Sequence, residues 1–130
     1  MPLRYAIDKQ RRLVHTTAWD RLTFAETQAY EHQLWNDPDF DPEFNQLVDL
    51  TALTGSSMSV EEIKQIARRS GFSAMSRRAF VAPATAVFGM SRLFALYNEM
   101  SKTPTQIHIF HDLPSALKWL GLETLPPLSQ

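Results

Sequence analysis

The chain has 130 residues, 44% of them hydrophobic, and its 13 basic and 14 acidic side chains give a formal net charge of −1. That length and apolar content suit one globular domain and exclude a disordered polymer. Near-neutral charge supplies no field to draw in nucleic acid or an anionic membrane, and the absence of cysteine excludes disulfides and thiolate–metal centres.

No apolar run reaches the ~20 residues of a membrane-spanning helix, so no integral membrane segment is expected. The opening Met1-Pro2-Leu3-Arg4-Tyr5 has no apolar signal core, which points to a cytoplasmic location. Leu3–Ile7 reads as a strand and Asp8-Lys9-Gln10 as a polar turn. Leu13–Trp19, with its β-branched Val14, Thr16 and Thr17, makes a second strand, antiparallel to the first. Thr23 and Glu26 stand in capping-box spacing at the start of a helix. Phe24, Thr27, Tyr30 or Glu31, and Leu34 recur along it at helical intervals, and it stops near Trp35, ahead of Pro38. An acidic, proline-punctuated surface loop follows, from Asp37 to Phe44.

Leu47–Leu50 is apolar on both faces, as a central strand requires. Thr51–Ser57 is predicted as a loop of small hydroxylated residues. Ser59 and Glu62 form a second capping box, Val60, Ile63, Ile66 and Ala67 supply an apolar stripe, and Gly71 is placed to stop that helix. Arg78–Ala82 is the next strand. The longest helix starts at Thr85, with Val87, Met90, Phe94 and Tyr97 at three- and four-residue spacing. Gln106–Phe110 is the last strand, and a short helix from Pro114 carries Leu117 and Leu120 before Gly121.

The order β-β-α-β-α-β-α-β-α predicts an α/β fold: a single domain with a mixed, mostly parallel five-stranded sheet. The expected domain covers residues 1–122, and residues 123–130, with Pro126-Pro127, are expected to be a flexible tail.

Several stretches in this order resemble a known group: Tyr5-Ala6-Ile7-Asp8 with Leu13-Val14, Asp37-Pro38-Asp39-Phe40, and Gln46-Leu47-Val48-Asp49-Leu50. Further on come Arg78-Ala79-Phe80-Val81, Phe88-Gly89 and Ala116-Leu117-Lys118-Trp119-Leu120-Gly121. Together they resemble the SpoIIAA-like branch of STAS domains over nearly the whole chain. The resemblance implies the βα superhelix of anti-sigma-factor antagonists, related more distantly to lipid-binding Sec14 (CRAL-TRIO) domains. It implies a regulatory, non-enzymatic module that acts by binding another protein through the loop and helix after the central strand.

In that family the loop carries an Asp-Ser pair followed by glycine, and the serine is phosphorylated. A phosphate there meets the positive end of a helix. Counted from Asp49-Leu50, the Asp position falls at Ser57, the phosphoacceptor at Met58, and Val60 stands in place of the glycine. The usual motif is therefore absent, and Ser56, Ser57 and Ser59 remain the candidate partner-binding or phosphoacceptor residues.

Other clusters are weaker signals. Asp37, Asp39 and Asp41 have the alternate spacing of calcium ligands, but Pro42 and Val48 occupy the glycine and bidentate-glutamate positions. His108 and His111 flank a strand on opposite faces, and the histidines read as partly exposed, so neither a metal nor a cofactor is expected. Gly55-Ser56-Ser57 and Gly89-Met90-Ser91-Arg92 lack the second glycine of a nucleophile elbow, and no enzymatic activity is expected. Arg68, Arg69, Arg77 and Arg78 bracket one turn and are candidate anion-binding residues. Phe88, Met90, Phe94 and Tyr97 are candidates to line an apolar pocket between the long helix and the sheet. That supports an alternative function, a carrier or sensor of a small apolar or amphipathic ligand. Surplus apolar surface also suits a homodimer contact.

Overall fold

Two capping boxes set the starts of the first two helices. In a computed structural model describing residues 2–122, Thr23 Oγ1 accepts the Glu26 N–H and Glu26 Oε1 accepts the Thr23 N–H, each at 3.2 Å. Ser59 and Glu62 repeat the exchange at 3.1 and 2.9 Å. The elements are β1 (Leu3–Asp8), β2 (Leu13–Leu22), α1 (Phe24–Trp35), β3 (Asn45–Ser56), α2 (Val60–Arg68), β4 (Arg77–Val81), α3 (Thr85–Glu99), β5 (Gln106–Phe110) and α4 (Leu113–Leu120). This is the expected order. The proposed tail, 123–130, lies outside the described residues.

The five strands lie in the sequential order β1-β2-β3-β4-β5. β1 pairs antiparallel with β2, and all later pairs are parallel. Side chains from α1 and α3 pack against Val14, Val48 and Phe80 on one face of the sheet, and α2 packs on α3 there. α4 covers the other face through Ala116, Leu117 and Leu120, against Leu13, Leu47, Ala79 and Val81. Successive crossovers on one face with strands in sequential order all coil the same way, which makes the sheet a βα superhelix.

Several strand boundaries differ from expectation. β2 runs to Leu22 and β3 to Ser56, so Thr51–Ser56 is strand, not loop. The cause is long-range pairing: Trp19, Asp20, Arg21 and Leu22 align with Ala52, Leu53, Gly55 and Ser56 across two register shifts. Thr54 Oγ1 also donates to the Asp20 carbonyl at 2.8 Å, and Asp20 takes a left-handed φ of 57° at the second shift. β4 begins at Arg77 and ends at Val81, one residue earlier than predicted at each end.

Gly71 is not the stop of α2, whose C-cap is Arg69 in extended conformation. Glycine is needed there for close approach: a Cβ on Gly71 would stand 2.6 Å from Trp35 Cδ2. Trp35 packs with Phe40 and Phe72 in an aromatic cluster with centroids 5.2–5.5 Å apart.

Candidate functional site

Adjacent strand residues point to opposite faces, and this separates the predicted arginine cluster. Arg68, Arg69 and Arg77 are exposed, but Arg78 is only 5% exposed and lies on the α1–α3 face. Arg77 sits on the α4 face instead, where Nη1 donates to the Trp119 carbonyl at 2.9 Å and the guanidinium lies over the Trp119 ring. The four guanidinium groups therefore do not form one anion site.

Arg78 anchors a buried polar network. Its Nε donates to Gln46 Oε1 at 2.9 Å and its Nη1 to Thr105 Oγ1 at 3.4 Å. Gln46 Nε2 donates to Tyr30 Oη at 3.0 Å and to Thr16 Oγ1 at 3.1 Å, and those two oxygens are 2.6 Å apart. On the far side Asn98 Oδ1 accepts from the Thr105 N–H at 2.9 Å, while Asn98 Nδ2 donates to the Ala67 carbonyl at 3.3 Å. The guanidinium carbon lies 4.8, 5.5 and 5.9 Å from the ring centroids of Phe72, Phe94 and Phe80. One chain of contacts thus links β2, α1, β3, β4, α3 and the end of α2.

This network borders a cavity of about 100 Å³ beneath α1, α2 and α3. Val48, Leu50 and Phe80 come from the sheet, Ile63 and Ile66 from α2, and Met90 and Phe94 from α3, with Tyr30, Glu31, Gln46, Arg78 and Ser91 as polar wall. Two of the four predicted pocket residues, Met90 and Phe94, line it. Phe88 instead stacks on His111, with centroids 4.3 Å apart, and Tyr97 lies against Lys64. Phe88 stands on another side of the α3 axis from Met90, whereas Tyr97 shares the face of Phe94 and lies one turn farther along the helix.

Burial shifts the charges in this wall. Desolvation pushes the Glu31 carboxyl up to about 8, against the opposing pull of Arg78 and then Arg69. The same desolvation lowers Arg78 to about 10, still well above neutrality. Ser91 Oγ, in a residue 2% exposed, has no hydrogen-bond partner among the described residues.

Beside the cavity, a surface groove at the C-terminal end of β3 is lined by Arg21, Thr54, Ser56, Met58, Ile63 and Met90. Met58, Ile63 and Met90 border both spaces. Of the three candidate serines Ser56 lines this groove, and each of the three has a structural hydrogen bond. Ser56 Oγ accepts the Met58 N–H at 3.0 Å, Ser57 Oγ donates to the Leu22 carbonyl at 3.4 Å, and Ser59 caps α2. Ser57 and Ser59 are nonetheless exposed, while Met58 between them and Ser56 beside them are half-buried.

The remaining clusters are structural. Asp37 accepts the Tyr5 hydroxyl at 2.6 Å and closes its own turn through the Asp39 N–H, and Asp41 closes the next turn through the Glu43 N–H. No group of three or more His, Asp or Glu side chains converges in metal-binding geometry among the described residues. His15 corrects the expectation of partly exposed histidines, since it is 5% exposed on the α4 face and neither ring nitrogen has a hydrogen-bond partner among the described residues. Among the described residues no helix is long and apolar enough to cross a membrane.

Sequence reasoning missed Tyr30, Glu31, Gln46 and Ser91. A signal existed for the first two, because Tyr30 and Glu31 shared one position of the α1 apolar stripe. Gln46 and Ser91 carried none, because one precedes an apolar strand and the other sits inside an apolar helix.

Element order and sheet topology define a protein with a SpoIIAA-like fold. The solved structure of an uncharacterized DUF3478-family protein from Shewanella loihica PV-4, described as SpoIIAA-like, is similar over 91% of this chain and 93% of its own, with a TM-score of 0.59 and 19% identity. No family model matches the chain. No curated protein matches it either.

Proposed function

We propose that this chain is a non-enzymatic binding module, a sensor or carrier that holds a small amphipathic molecule in the cavity beneath α1, α2 and α3. The observation that carries the reading is the cavity itself: an apolar space walled on one side by a buried guanidinium network. Its lining is mostly apolar with a few convergent polar groups, the composition of a small-molecule site.

A second reading, regulation through contact with a partner protein, is favoured by the rim. Val60 is 54% exposed at the start of α2, beside the exposed Ser57 and Ser59. The two readings join at Met58, Ile63 and Met90, since a ligand that moves these side chains also reshapes the groove outside.

Methyl and amide NMR during titration with benzene tests the proposal, because benzene enters dry apolar cavities of comparable size. Shifts centred on Val48, Leu50, Ile63, Met90 and Phe94 are expected, extending to the amides of 56–60 if the rim reports occupancy. Shifts confined to exposed Leu96 and Met100 would overturn the cavity reading.

A further inference from the structure

We infer that the molecule held in this cavity is a short-chain monocarboxylate, with its head on Arg78 and Ser91 and its chain against Val48, Leu50, Phe80, Met90 and Phe94. The inference rests on the cavity reading above and adds the chemistry of the head group.

Three observations select that chemistry. The first is an unbalanced charge. Arg78 is buried, and the ion pairs among the described residues, Lys9–Asp39 and Asp8–Arg11, lie elsewhere. Its two hydrogen-bond partners, Gln46 and Thr105, are both neutral. A guanidinium has five N–H groups in a fork that matches a carboxylate. Burying such a cation without an anion is costly, and an anionic ligand removes that cost.

The second is Ser91. Its hydroxyl lines the same cavity, is buried, and finds no partner among the described residues. It lies one turn before Phe94, whose ring is 5.5 Å from the Arg78 guanidinium carbon. A buried hydroxyl left without a partner marks a place where a ligand atom completes the bonding. Because Arg78 can only donate and Ser91 has a free donor, the ligand must bring acceptors.

The third is Glu31, the internal anion that would otherwise neutralise Arg78. It lines the cavity without contacting the guanidinium, and burial holds its carboxyl mostly protonated at neutral pH. Protonated, it leaves the guanidinium with no anionic partner among the described residues.

Size and charge narrow the class. The cavity has about two-thirds of the volume of the ~150 Å³ space that admits benzene, which suits a body of roughly four to six carbons. One guanidinium matches a single negative charge, whereas a phosphate group carries about −1.5 to −2 at neutral pH.

NMR titration with hexanoate, its uncharged counterpart hexan-1-ol, and inorganic phosphate tests the inference on the wild-type chain, Arg78→Met and Ser91→Ala. Hexanoate is expected to shift the cavity methyls and to bind about tenfold or more tightly than the alcohol, with phosphate inert. Arg78→Met should reverse that preference, and Ser91→Ala, which keeps the guanidinium, should weaken hexanoate several-fold and leave hexan-1-ol unchanged. Equal binding of acid and alcohol to wild type would overturn the carboxylate inference and leave the cavity reading standing. If neither probe, nor benzene, moves the cavity methyls, both fail. Should Arg78→Met not fold, Ser91→Ala decides, because equal losses for the two probes overturn the assignment.

Discussion

Replacing Glu31 with glutamine removes the group that burial perturbs most usefully. In the unfolded chain this carboxyl ionises at its ordinary value of 4.5, whereas the folded environment raises it to about 8. Desolvation under α1 is the main cause, and Arg78 from β4 and Arg69 beyond α2 only partly oppose it. Between those two values the unfolded state releases a proton that the folded state keeps, so wild-type stability falls as pH rises. The slope for one such group is about 1.4 kcal/mol per pH unit. From pH 5 to pH 7 the Glu31→Gln variant should therefore gain about 2–3 kcal/mol on the wild type, roughly 10 °C in melting temperature for a chain of this size. Thermal melts of both proteins at half-unit pH steps measure the difference directly, and other titrating groups cancel in the comparison. A gap between the two curves that stays constant from pH 5 to pH 7 would refute the reasoning, because it would mean that Glu31 is solvated or already ionised in the fold.

Two further substitutions test the local arguments. Gly71→Ala should destabilise the chain by about 1–3 kcal/mol, since its Cβ must displace the Trp35 ring from the aromatic cluster; a denaturant midpoint equal to wild type would show that the ring yields freely. Ser59→Ala should cost about 1 kcal/mol through loss of the α2 cap, while Ser57→Ala, losing only a 3.4 Å contact, should cost much less; equal losses in urea unfolding would contradict the capping geometry.

What the sequence determined by itself was local. Thr23 with Glu26 and Ser59 with Glu62 specify helix starts because each box is closed by groups three residues apart. Alternating strands and helices specify a mostly parallel α/β sheet because consecutive crossovers have one favourable hand. The word-like stretches pointed to the same fold, and the structural likeness agrees.

Tertiary structure decided everything that depends on a partner distant in the chain. The far half of β3 is strand only because β2 runs alongside it, which no propensity of Thr-Gly-Ser signals. Gly71 is a glycine on account of Trp35, a residue thirty-six positions away. The arginines looked alike in a row, and the pleat sent Arg77 to the surface and Arg78 into the core. The candidate site shows the difference most fully, since Tyr30, Gln46, Arg78 and Ser91 come from four separate elements and meet only when α1 and α3 close over the sheet. Sequence periodicity reports which face of an element is buried; which polar groups meet inside is set by how the faces pack.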